Sequence, residues 1–220
     1  WTIFLPKIWG NAVEKIYPLP SRQVFKTIMK EERSKGIDGH NPTDKRREKL
    51  KNKYLAIYDV DSLKNLPINF DGIVMQEDEE YGNIVWDKHF GNNYKILQKQ
   101  KNIYQKSGFL NPFSSLQSAS MGFCGTDMFH HLDFLKKSEK YRRHLIKALN
   151  DKHAYGGAKT GDWKWTVDNT FFKSIEDFSY NTPRISYFLS HYLIDLLCLF
   201  WWSILTTVLI RFKTNKELLI

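Results

Sequence analysis

A mainly α fold, a helical exoplasmic domain followed by a C-terminal transmembrane helix, is the class this sequence predicts. Three observations predict it. The run YLIDLLCLFWWSILTTVLI, Tyr192 to Ile210, stays apolar over a length that crosses a bilayer. Asn-Pro pairs at 41–42 and 111–112 are helix starts, with a capping side chain ahead of a first-turn proline. Between these starts and the apolar run, polar and apolar residues recur at helical spacing.

The chain has 220 residues and does not begin with methionine, so it is expected to be a piece of a longer protein. WTIFLP is apolar and too short to span, and residues 1–9 are expected to end a preceding transmembrane helix. Residues 10–182 then form the helical exoplasmic domain. Within it, Asn41-Pro42-Thr43-Asp44 supplies a cap, a first-turn proline and a first-turn acid for a helix carrying KRREKLKNKY. That run reads as a solvated face, because aromatic residues are not interleaved with its charges and Glu48 offsets some of them. No nucleic-acid partner is expected from it.

LPINFDG, residues 66–72, reads as an extended connection. From Asp71 to Lys106, helical spacing places Tyr81, Ile84, Val85 and Lys88 on one side, with Gly82, Gly91 and Gly108 as candidate breaks. Asn111-Pro112 starts the next helix and Gly122 to Gly125 stops it.

CGTDMFHHLDF, residues 124–134, concentrates two histidines and two carboxylates. Thr126 or Asp127 is an N-cap for a helix running to about Asn150. At 100° per residue, Asp127, His130, His131, Phe134, Ser138, Tyr141 and Leu145 share one face, expected to be buried, and Lys136, Lys140, Arg143 and Lys147 the other. Asp127 and His131, four apart, are able to hold one metal ion, with His130 joining from the adjacent row. A catalytic zinc would need further ligands that no HExxH motif supplies. The expected reading is therefore structural, with no cofactor, no catalytic residue and no metal.

The apolar run makes a helix of roughly 28 Å at 1.5 Å per residue, close to the hydrocarbon thickness. Asn181 or Thr182 is its expected cap and Pro183 its first residue, giving a transmembrane helix over 183–212. Arg211, Lys213 and Lys216 then mark 213–220 as a cytoplasmic tail. Asp195 is the one charge in the run, about a turn in from the outer side. An ionisable group in a span is a functional candidate, although near an interface its carboxylate reaches water or headgroups.

The totals narrow the classes further. Lys and Arg number 33 against 24 Asp and Glu, a net charge of +9, and the excess lies ahead of the apolar run. Such a balance favours anionic partners. Cys124 and Cys198 form no CxxC pair, so neither a disulfide framework nor a structural zinc module is indicated. There is no Walker loop, no GxSxG and no GxGxxG.

Taken together, YPLPSR (17–22), LPINFDGIVMQEDEEYGN (66–83), NPFSSLQSASMGFCGTD (111–127) and FLKKSEKYRRHLIKALN (134–150) resemble an uncharacterised family of bacterial ABC-2-type transporter permease subunits. The resemblance covers nearly the whole chain. It implies an exoplasmic domain of unknown function before the last transmembrane helix, in a multi-pass protein of the bacterial inner membrane. It also implies a separate cytoplasmic ABC ATPase subunit that hydrolyses ATP, other permease subunits in a dimer, and contact with membrane lipid. The protein itself would not be an enzyme. Two rivals stand beside this reading: a membrane-anchored metallohydrolase using Asp127, His130 and His131, and an anchored exoplasmic interaction module that binds an anionic partner.

Overall fold

The computed structural model describes residues 4–38, 41, 43–162 and 164–217. Eight α-helices occur among them: α1 (Phe4–Ile16), α2 (Arg22–Arg33), α3 (Lys45–Tyr58), α4 (Phe70–Lys106), α5 (Pro112–Phe123), α6 (Met128–Tyr155), α7 (Asn169–Ser174) and α8 (Ile185–Glu217). Short 3₁₀ turns lie at Leu63–Asn65 and Ser107–Phe109, and no strand occurs among the described residues, so the mainly α class is observed. The chain divides into two compact units. One comprises residues 1–19, 93–136 and 180–220, the other residues 20–92 and 137–179, and α4 and α6 each contribute to both.

The unit of residues 20–92 and 137–179 has an aliphatic core of Leu50, Leu66, Ile68, Phe70, Ile73, Val74 and Ala154. These residues come from α3, the connection before α4, the start of α4 and the end of α6. Gly72 lets α4 approach α6 closely, since a Cβ there would lie 2.6 Å from the backbone nitrogen of Ala154. Buried Asn69 bridges the same contact. Its N–H donates to the Ala154 carbonyl at 2.8 Å, and its side-chain amide lies 2.9 Å from His153 Nε2. On the outer part of the packing, Arg142 pairs with Glu79 at 2.7 Å and Arg143 with Asp87 at 2.7 Å.

The start of α3 differs from expectation. Its cap is Asp44, whose Oδ1 accepts from the Arg46 N–H at 2.8 Å, and Asn41 instead accepts from the N–H of Thr43 at 3.0 Å. The aspartate wins because it also accepts from the N–H of Asp38 at 2.8 Å and from the Arg46 guanidinium at 2.9 Å. Those bonds, that of Arg46 first, hold the Asp44 carboxyl well below the usual carboxylate range. Pro42 lies outside the described residues. KRREKLKNKY is the solvated helix expected, burying only Leu50 among the residues of α3.

In the other unit α5 lies against α8. Tyr192, Asp195 and Cys198 are buried along one edge of α8, and half-buried Trp202 continues it. Spacings of three, three and four place them on one stripe. Gly122 and Gly108 permit the approach: a Cβ on Gly122 would overlap the Tyr192 ring, and one on Gly108 would overlap Ser115 and press on Cys198 Sγ. Between Leu193 and Ile210 the rest of α8 is mostly apolar and mostly exposed, and residues Leu189–Asn215 are long and apolar enough to cross a membrane.

Several expected boundaries shift. Gly82 and Gly91 do not interrupt α4, which runs unbroken for 37 residues, because a single helical glycine costs only about 1 kcal/mol and packing overrides it. Asn111 caps α5 with Pro112 at its first position, as expected. Helix α6 extends five residues past Asn150, where Ala154 is drawn into the core. Helix α8 begins at Ile185, beyond Pro183, and its ladder continues through Arg211 to Glu217, past the boundary expected at 212, because no glycine or proline stops it. At the other end, α1 is a 13-residue helix with Phe4 and Ile8 exposed, and residues 1–3 of the segment expected to end a membrane helix lie outside the described residues.

Candidate functional site

Asp195 has no exposed surface. It faces the end of α4 and the inner face of α5. Its Oδ2 accepts from the Gln105 side-chain amide at 2.6 Å and from the Ser118 hydroxyl at 2.9 Å. Gln105 uses the same nitrogen to reach the His191 carbonyl at 2.6 Å, one turn earlier on α8. Helices α4, α5 and α8 are thus tied at one carboxylate.

From Ser118 the polar run continues. Its Oγ accepts from the Lys101 ammonium, which lies 5.9 Å from the centroid of the Tyr192 ring. The Tyr192 hydroxyl donates to Asp127 Oδ2, and Asp127 Oδ1 pairs with His130 Nδ1. Burial holds the Lys101 ammonium below the ordinary lysine range, and the carboxylates of Asp195 and Asp127 oppose that shift. The side chains from Asp195 to His130 form one continuous polar run, buried except at half-buried Lys101, in which Asp195 is held through Oδ2 and its buried Oδ1 accepts no hydrogen bond.

Asp127 and His130 open at their far side onto a shallow cavity of about 270 Å³, lined by Gly125, Thr126, His131, Phe134, Tyr180 and Thr182. Gly125 holds a left-handed φ of 69°, which turns the chain out of α5 and into the cap of α6. Asp127 is that cap: its oxygens accept from the N–H groups of Phe129 at 3.1 Å and His130 at 3.3 Å. His130 is buried with its ring folded back onto Asp127.

The two histidines therefore differ, which corrects the shared buried stripe. His131, a further 100° around α6, is exposed, and Phe134 is 39% exposed at the cavity edge. Both Asp127 oxygens already take part in hydrogen bonds, with two backbone N–H groups, an imidazole and a phenol. Among the described residues, no group of three or more His, Cys, Asp or Glu side chains is placed to hold an ion.

The first expected outcome follows from this asymmetry. His130→Ala should destabilise the protein by about 1–3 kcal/mol, the range for leaving a buried polar partner unsatisfied, whereas His131→Ala should change stability by less than about 0.5 kcal/mol. Thermal unfolding of both variants, with and without a chelator, checks it. Equal losses, or a chelator effect that vanishes in the His131 variant, would revive the metal reading.

Sequence reasoning missed Lys101, Gln105, Ser118 and Tyr192 as members of this run. The available signal was SSLQSAS inside α5, where small polar residues interrupt Phe113, Leu116 and Met121. No curated protein and no solved structure matches the chain. A family model does match, described as domain of unknown function (DUF3526), over residues 24–181. That match spans most of the chain, both ends of α4 and the whole of α5 and α6, and the protein belongs to this family.

Proposed function

We propose that the chain is the C-terminal part of an ABC-2-type permease subunit of the bacterial inner membrane, moving a cargo with energy from ATP hydrolysed by a separate cytoplasmic subunit. The observation that carries this reading is α8, a 33-residue helix whose apolar surface is mostly open, with Leu193, Leu197, Phe200 and Val208 outward. Water is a poor solvent for such a surface, and at about 1.5 Å per residue the helix exceeds the 30 Å hydrocarbon core. The family resemblance of the four sequence blocks supplies the rest: an exoplasmic domain ahead of α8, a permease dimer and a partner ATPase. In this reading closure of the ATPases rearranges the membrane helices, and the tie at Asp195 transmits movement of α8 to α5 and the end of α4.

Topology tests this reading. A reporter fused after Lys216 should read cytoplasm, and protease added to intact spheroplasts should cut between Lys35 and Lys53. Protection of that stretch together with an exposed tail would invert the orientation and sink the exoplasmic assignment.

One observation favours the anchored interaction module as a second reading. A cavity of about 480 Å³ is lined by Lys35, Arg46, Lys49 and Lys53 around Ile37 and Leu50, with Glu77 its one acid, and suits an amphipathic anion. The two readings part on whether an ATPase accompanies the protein.

A further inference from the structure

Helix α5 is amphipathic in the inverted sense. Toward α8 it buries Ser114, Ser115, Ser118, Ala119 and Gly122. On its opposite side Phe113, Leu116 and Phe123 are exposed, with Gln117 and Ser120 the polar residues among them, and the turn before it exposes Phe109 and Leu110. Leu110 is 62% and Leu116 55% exposed. A surface helix in water carries the reverse pattern, with its apolar stripe inward.

The position of this face along α8 is defined by contacts. Gly122, at the end of α5, packs on Tyr192, whereas Gly108, before its start, packs near Cys198 and accepts through its carbonyl from Trp202 Nε1 at 3.0 Å. The end of α4 runs along α8 from His191 to Asp195 through Gln105. The chain therefore runs along α8, turns at Ser107–Phe109, and returns as α5. Residues 192 to 202 of the apolar run measure about 15 Å, so the turn lies about halfway along a hydrocarbon core of about 30 Å.

Irregular backbone at such depth must satisfy its own polar groups. This turn largely does. The N–H groups of Leu110 and Asn111 both reach the Ser107 carbonyl, at 2.9 and 3.0 Å, and the Ser107 hydroxyl donates to the Tyr104 carbonyl at 2.7 Å. Ser107 and Gly108 are buried. The apolar surface also continues onto α8, since Phe109 meets Trp201 edge to face with centroids 6.2 Å apart.

We propose that the end of α4, the Ser107–Phe109 turn and α5 form a hairpin that enters the lipid beside α8 without crossing it, with acyl chains covering Leu110, Phe113 and Leu116. This rests on the reading that α8 crosses the membrane. The hairpin's polar face then surrounds Asp195, which makes the aspartate the acceptor that holds the hairpin on the span.

Single cysteines placed at Leu110, Phe113 and Leu116, in the intact protein with Cys124 and Cys198 replaced by alanine, are labelled with a fluorophore and reconstituted into phosphatidylcholine and phosphatidylglycerol vesicles. Val208→Cys on α8 and Ile57→Cys on α3 serve as membrane and aqueous references. Nitroxide carried on the lipid chains should remove most of the fluorescence at the three hairpin positions, as at Val208, while aqueous iodide should quench only Ile57. Iodide quenching of the hairpin positions with Val208 still in lipid would overturn the hairpin and leave the span intact. Iodide quenching of Val208 as well would overturn the membrane reading itself. Shielding of the hairpin positions from both quenchers, with Val208 in lipid, would show that protein, another membrane helix or a second copy, covers this face and would also overturn the proposal.

Discussion

Replacing Asp195 with leucine should cost about 3 kcal/mol or more, because two hydrogen bonds to a charged acceptor, each worth about 1.5–3 kcal/mol, are lost at once. Gln105 and Ser118 would lose their shared acceptor in a buried site, and Lys101 would lose one of the two carboxylates that favour its charge. Asp195→Asn keeps one oxygen in place and should cost less than half as much. The order matters more than the totals. If Asp195 faced headgroups, leucine would be the milder change of the two, because it removes a polar group from the edge of an apolar run. Unfolding of the detergent-purified variants decides between these orders.

The second large effect is expected at Gly122. Alanine there pushes a methyl group into the Tyr192 ring, which cannot swing aside while its hydroxyl is bonded to Asp127. Overpacking of this kind costs about 1–3 kcal/mol. In a Tyr192→Ala background the same substitution should be nearly neutral, because the obstructing ring is gone, and the coupling between the two sites measures their contact. Equal costs in both backgrounds would show that α5 does not pack on α8 at this point.

The helical class and the long apolar C-terminal helix were legible because they depend on local signals: an apolar run of bilayer length, Asn-Pro starts, and Gly125 followed by Asp127. Asn111 and Asp127 act as caps where they were expected to. The surroundings of Asp195 were not legible. Its partners lie 90 and 77 residues away in sequence, and neither a glutamine nor a serine marks itself as the acceptor's neighbour. The outward face of α5 was hidden for a related reason: periodicity shows that two faces differ, and only the surrounding solvent says which one turns inward. His131 was misplaced because a stripe drawn at 100° per residue is wide enough to include a residue at its edge. Asn41 lost the cap of α3 to Asp44, whose charge attracts Arg46, a preference that capping propensity alone does not rank.

The central claim, that this chain belongs to a permease driven by another subunit, is tested most directly by purifying the intact protein from its own membranes under mild detergent. An ATPase subunit carrying a Walker motif should co-purify, and ATP hydrolysis by that complex should fall when Asp195 is replaced by leucine, with the subunits still associated. Purification without any ATPase, in a form that retains salt-sensitive binding to an anionic partner, would contradict the permease account and leave the anchored interaction module in its place.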